Sequence, residues 1–288
     1  HSTMKTSFSI RSLQTMEEFR QAEGVQLEVW SMPPGEVVPL HLLLTVQKSG
    51  GLVLGAFDEA GAMIGFLLGF LGRTAGGHWK HCSHMMGVLP GYRHLGVGEA
   101  LKRRQREFAL QQGLDLVTWT FDPLEGVNAN LNFAKLGVVC RTYERDLYGR
   151  MSDDLNQGLP SDRFEVEWWI ASRRVADRLR QGPLRLRLAE VEQGGAQRAN
   201  RTQVRGGLRL PLEADLATEA PVLLVETPTS FQAIKTASMD LALAWRRHTR
   251  TLFEACFQAG YLAADFFSER IDGERRNFYL LQRSVAGL

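Results

Sequence analysis

The sequence predicts an α/β protein, and three observations carry that prediction. Residues 84–101 run from a short apolar segment, through a turn at Pro90-Gly91, into a long amphipathic pattern that opens on Gly96 and Gly98, which is the pattern of a strand, a turn and a helix start. Segments of strand and helix period alternate along the first 170 residues in the order β-α-α-β-β-β-α-β-α-β-β. A β-α-β-β order returns in the last eighty or so residues. The 288 residues, 44% hydrophobic and 23% charged, suit one large globular domain or two ordinary ones. The expected division is 4–170, an arginine-rich helix and connector over 171–210, and a C-terminal βαββ domain over 211–288.

Each element has a local reason. Phe8-Ser9-Ile10 alternates as a strand, and residues 13–30 repeat apolar side chains at near-helical intervals until Pro33-Pro34-Gly35 stops them. Residues 40–47 suit a shorter helix. Strands at 51–57 and 62–71 flank the turn Asp58-Glu59-Ala60-Gly61 and form a hairpin. A third strand, 82–88, leads into the glycine turn. The helix after it, 97–112, puts Val97, Leu101 and Phe108 on one face, leaves Lys102, Arg103 and Arg106 mostly elsewhere, and ends at Gly113. Residues 114–121 have β-branched and aromatic strand chemistry, 128–136 read as helix, and 138–140 and 163–170 as strands. Beyond 210, strands are expected at 221–226, 262–267 and 277–281. A helix over 238–259 carries the stripe Ala242, Trp245, Leu252, Phe253 and Cys256, with Arg246, Arg247 and Arg250 off it.

Composition excludes several function classes. Cys82, Cys140 and Cys256 are far apart with no Cys-x-x-Cys pair, so neither a disulfide framework nor a metal site is expected, and a reducing, cytoplasmic setting is the default. No apolar run approaches the ~20 residues of a membrane span. Ten arginines lie between Arg173 and Arg209, but without interleaved aromatics they suit a solvated helix better than nucleic acid. The opening His1-Ser2-Thr3 before Met4 looks like a tag remnant.

The informative stretch is the glycine turn. The first backbone N–H groups of a helix have no intrahelical partner and lie at the positive end of its dipole, so they suit phosphate. Side chains at 96 and 98 would hold an anion off the backbone, and Arg93 adds charged donors. No Gly-Lys-Ser/Thr ending follows, and no full Gly-x-Gly-x-x-Gly, which excludes a nucleoside-triphosphate loop and a dinucleotide site.

Arg93-x-x-Gly96-x-Gly98, preceded by Val88-x-Pro90, resembles the acyl-CoA pyrophosphate loop of the GNAT N-acetyltransferases, and the element order over residues 7–170 is similar to the fold of that superfamily. Phe121-Asp122-Pro123-Leu124, Asn128-Ala129-Asn130-Leu131-Asn132, Lys135-Leu136-Gly137, Tyr143 with Leu147-Tyr148-Gly149, and residues 162–169 resemble a prokaryotic branch of GNAT-like proteins. Some members of that branch accompany N-acylamino-acid racemases. The resemblance implies a mixed sheet whose central strand splays from its neighbour, with acyl-CoA pantetheine hydrogen-bonded to backbone near Met86, Gly87 and Val88. The pyrophosphate would lie on Arg93, His94, Leu95, Gly96, Val97 and Gly98, with Lys102 or Arg103 as further candidates. It also implies CoA contacts from Asn128 and Asn132, although Asn128 could equally be a helix N-cap.

The implied activity is N-acyl transfer from acetyl-CoA to a small primary amine, plausibly an amino acid; succinyl-CoA is the alternative donor. For such chemistry His84 is the best base, His81 a weaker one, and the N–H near Val88 the donor to the thioester oxygen. Many relatives place an acid where Phe133 stands, so Tyr143 or Tyr148 substitutes or the thiolate leaves unassisted. Arg141, Glu165, Glu167 and Trp119 are the acceptor-binding candidates. A catalytically silent acyl-CoA binder is the rival from another class. The C-terminal part lacks the glycine loop and is expected to cover the first domain or to build a homodimer.

Overall fold

The computed structural model describes residues 7–149, 158–215 and 219–288. They divide into two units, one running to Trp119 and the other from Thr120 to Leu288.

The first unit contains β1 (Phe8–Ser12), α1 (Met16–Trp30), α2 (Leu40–Lys48), β2 (Leu52–Asp58), β3 (Met63–Arg73), β4 (Trp79–Val88), α3 (Val97–Gln111) and the start of β5 (Leu116–Phe121). The strands lie in the order β1-β2-β3-β4-β5, antiparallel except for β4 with β5. Helices cover both faces, which is why β2 reads as a continuous apolar run. Its Val53 and Phe57 pack with α1 and α2 among Phe19, Val25 and Leu43, while Leu52, Leu54 and Ala56 pack with Val97 and Leu101 of α3. Thr15 opens α1 with a reciprocal capping box to Glu18. Gly87 makes room for this helix: a Cβ there would lie 2.9 Å from the Trp30 ring.

The second unit continues through α4 (Gly126–Ala129), a π-helical turn (Asn130–Lys135), β6 (Val139–Glu144), β7 (Arg163–Trp169), α5 (Arg173–Gln181), α6 (Leu188–Gln193), β8 (Gln197–Arg198), β9 (Asn200–Arg205) and β10 (Leu208–Ala214). It closes with β11 (Val222–Thr227), α7 (Phe231–Ala237), α8 (Met239–Gln258), β12 (Leu262–Ile271) and β13 (Glu274–Gln282). Its strand order is β7-β6-β12-β13-β11-β8, with β9 and β10 as a separate hairpin. The core is aromatic: Phe164 lies 4.6 Å from Phe253 and 5.5 Å from Tyr279, ring centre to ring centre.

Three expectations need correction here. The span 171–210 is not a solvated helix with a connector, because it holds two helices and the strands β8 and β9. Several of its arginines are paired: Arg178 is buried against Asp265 at 2.7 Å, Arg180 pairs with Asp177, and Arg187 with Glu269. Gly206-Gly207, both at positive φ, form the two-residue turn of the β9–β10 hairpin. Helix α7 was unanticipated. Arg246 is on the buried stripe of α8, not off it, and pairs with Asp122. No helix among the described residues is long and apolar enough to cross a membrane.

Candidate active site

The turn between β4 and α3 is built as an array of backbone donors. Residues Pro90–Leu95 form a 3-10 helix, and Gly96 follows at φ +80°, ψ 13°, a conformation in which a Cβ is strained. The helical bond across this start runs from Ala100 N to Gly96 O at 3.0 Å, so the amides of Val97 and Gly98 precede it. Arg93 stands on the same turn. Its Nε donates to the Val88 carbonyl at 3.1 Å, which ties the end of β4 to the turn and leaves the rest of the guanidinium as donors. Neither side chain named as a further phosphate ligand is free. Arg103 pairs with Glu99 one helical turn away at 2.9 Å, and Lys102 is 2% exposed.

Strand β4 diverges from β5 as the resemblance implies. The two pair at His81↔Val117 and Cys82↔Thr118, while β4 continues to Val88. Opposite β3, Leu68 pairs with Met85 and Gly69 with Ser83, so His84 is the extra residue of a β-bulge. Bulges re-aim a side chain, and His84 is exposed beside Phe70, 6.1 Å away. Crowding by neighbouring atoms holds its imidazole below the ordinary pKa, so it is neutral and able to accept a proton at pH 7.

His81, the weaker base candidate, is fully buried and packs against Phe108, and neither ring nitrogen has a hydrogen-bond partner among the described residues. Desolvation, aided by the charge of Lys102, pushes its pKa down to about 4. A Cβ on Gly69 would collide with its Nε2, so the glycine of β3 makes the space it occupies. Lys102 lies in the same interior: Nζ donates to Ser83 Oγ at 2.8 Å and to Gln105 Oε1 at 3.3 Å, and sits 3.6 Å over the Trp119 ring. Burial lowers its pKa to about 7. Trp119, expected at the acceptor, is thus a buried platform for an ammonium.

The remaining candidates belong to the second unit. Tyr143 donates to Asp162 Oδ2 at 2.7 Å, and burial, with that carboxylate beside it, raises its pKa, which makes it a poor acid. Arg250 closes on the same carboxylate at 2.7 Å. Tyr148 is half exposed, with its hydroxyl 3.0 Å from Thr120 Oγ1. Arg141 pairs with Glu167 at 2.9 Å, and Trp169 donates to the same carboxylate, so both acceptor candidates have partners; Glu165 is half-buried on β7. Asn128 is exposed inside α4 and is not its N-cap, a position taken by Glu125. Asn132 is buried in the π-helical turn. Phe133 is core, with its ring 5.5 Å from that of Tyr279.

Sequence reasoning missed the buried Lys102–Ser83–His81–Gln105 group and the bulge at His84. The group had a signal: residues 97, 101, 102, 105 and 109 form one broad helical stripe. The bulge had none.

Residues 13–138 match the sequence model of the acetyltransferase (GNAT) family. Among solved structures, the chain is similar to the ribosomal-protein-S18-alanine N-acetyltransferase of Escherichia coli at 16% identity and TM-score 0.42, covering 57% of this chain and 94% of that one. It is similar to Ard1 of Thermoplasma volcanium at 18% identity and TM-score 0.41, over 56% and 95%. Naa50 of Arabidopsis thaliana, solved with a bisubstrate analogue, aligns at 14% identity and TM-score 0.45, over 56% and 97%. No curated protein matches the chain.

Proposed function

We propose that the chain, whose residues 13–138 match the GNAT-family acetyltransferase model, transfers an acyl group from acetyl-CoA to a primary amine of a small molecule, an amino acid being the leading acceptor. The observation that carries this reading is one geometry: β4 leaves β5 after Cys82 and ends on a turn where the amides of Val97 and Gly98 precede the first helical hydrogen bond, from Ala100 to Gly96. A pyrophosphate fits those amides and Arg93, and the widening edge of β4 suits the amide-bearing pantetheine arm as a strand-like addition. Arg93, His94, Leu95, Gly96, Val97 and Gly98 would hold the first, and Met86, Gly87 and Val88 the second.

The chemistry is direct transfer. The amine nitrogen attacks the thioester carbon, the C–S bond breaks, and the proton lost by nitrogen passes to His84, neutral at pH 7 because its pKa is lowered. The amide near Val88 polarises the carbonyl oxygen. With Phe133 in the core and Tyr143 tied to Asp162, the CoA thiolate departs without an acid from either; Tyr148 is the remaining hydroxyl candidate. Succinyl-CoA is the alternative donor.

A second reading, an acyl-CoA binder without turnover, draws support from the same Phe133. A thiol-release assay with acetyl-CoA and succinyl-CoA against a panel of amines separates the two. Release that depends on an amine supports the transferase. CoA binding without release on any amine overturns it in favour of the binder, and no CoA binding overturns both.

A further inference from the structure

The second unit holds a pocket of about 510 Å³ whose walls include Glu192 at the end of α6, Arg198 of β8, Arg201 and Thr202 of β9, and Arg276 of β13. The acyl-transfer reading makes no use of it. Three guanidinium groups from three different strands would repel one another in a merely packed surface, and the structure meets that cost in a particular way. Arg276 gives Nε and one terminal nitrogen to Glu226 at 2.7 and 2.6 Å. Arg198 gives the same edge to Glu192 at 2.5 and 3.3 Å. Each of these two arginines is therefore held by a carboxylate on one edge while its other terminal nitrogen keeps its donors.

The support beneath is itself built. Glu226 is 1% exposed, accepts from the Thr202 hydroxyl at 2.8 Å, and lies 3.6 Å from Arg209. Its backbone N–H and C=O both bond the Asn200 side chain. Arg201 completes the wall. It is exposed and makes no side-chain hydrogen bond or ion pair among the described residues. The lining carries three positive charges against the one of Glu192. The buried Glu226 below faces both Arg276 and Arg209, and Arg209 pairs with Glu274 as well.

We propose that this pocket binds a small organic molecule bearing more than one oxyanion, carboxylate or phosphate. Pre-held planar donors in a fork geometry suit the paired oxygens of either group. The volume is that of a small-molecule site and exceeds what a single inorganic ion fills.

The test is isothermal titration of the full chain with citrate and with inorganic pyrophosphate in 0.15 M salt, repeated on Arg201→Ala, Arg201→Lys and Arg93→Ala. Binding of either probe that weakens at least about tenfold in Arg201→Ala, recovers in part in Arg201→Lys and persists in Arg93→Ala supports the proposal. The probe preferred then tells carboxylate from phosphate chemistry. Arg201 has no structural partner to lose, so Arg201→Ala is expected to keep the parent melting temperature. No heat from either probe at millimolar concentration overturns the proposal. So does binding that ignores both Arg201 variants, or that disappears in Arg93→Ala and so belongs to the β4–α3 turn.

Discussion

Lys102→Met is the perturbation whose size the structure defines best. The ammonium is 2% exposed, with two neutral hydrogen-bond acceptors and an indole face in place of water. Its pKa falls from the ordinary 10.5 to about 7. At about 1.4 kcal/mol for each tenfold change in proton affinity, charging it costs the fold up to about 5 kcal/mol. The sign follows from proton counting. Above pH 10.5 the lysine is neutral in both states and the linkage vanishes. Between 10.5 and about 7 the unfolded chain binds a proton that the folded one refuses, so stability falls as pH falls. Below about 7 both states are charged and the cost stays constant. Methionine has similar length and no charge. It forfeits the bond to Ser83 and the cation–π contact, roughly 1–3 kcal/mol together. Lys102→Met is therefore expected to raise the unfolding free energy by about 1–3 kcal/mol at pH 7, with the gain shrinking and reversing as pH approaches 10. Urea melts of both proteins at pH 6, 7, 8 and 9.5, followed by tryptophan fluorescence, check this. A variant less stable than the parent by the same amount at every pH would refute the argument, because it would mean the ammonium is well satisfied where it sits.

Gly96→Val places a β-branched residue at φ +80°. It is expected to cost about 1–2 kcal/mol in urea melts and to weaken CoA binding at least about tenfold in a calorimetric titration. Arg246→Ala removes the bidentate partner of the Asp122 carboxylate, itself 7% exposed, and leaves it the more distant Arg163 at 3.9 Å. A loss of about 3–5 kcal/mol is expected, and the double variant Arg246→Met with Asp122→Asn is expected to recover much of it in the same melts. His84→Gln is expected to lower turnover about a hundredfold or more and to abolish the acid limb of the pH–rate profile. In the parent that limb lies on the acid side of the ordinary imidazole value, since the pKa of His84 is lowered. A variant with unchanged rate and profile would remove His84 from the mechanism.

What was legible in the sequence is what local rules determine. The hairpin of β2 and β3, the strand running into Pro90-Gly91, and the long helix ended by Gly260 all follow from period and turn chemistry. Charged residues on helices were misjudged for one reason. A helical stripe wide enough to cover a sheet includes positions flanking the apolar ones, and Lys102 follows Leu101 just as Arg246 follows Trp245. Whether such a residue faces water or the interior depends on partners far away in the chain: Ser83 for the one and Asp122 for the other. The π-helical turn at Asn130–Lys135 has no sequence signature at this level, and its offset is what separates the exposed Asn128 from the buried Asn132. The pocket of the second unit was illegible because Arg198 and Arg201, read along the chain, look like part of a solvated charge run, and only the tertiary fold, through the sheet and the separate β9–β10 hairpin, brings Arg276 to them.

The β4–α3 turn is the proposed seat of a CoA diphosphate, and a crystal structure of the protein grown with acetyl-CoA tests that assignment most directly. The diphosphate is expected within hydrogen-bond distance of the Val97 and Gly98 amides, with the pantetheine running along β4 where it leaves β5. Density for the nucleotide at any other place, with that turn closed by protein atoms, would contradict it.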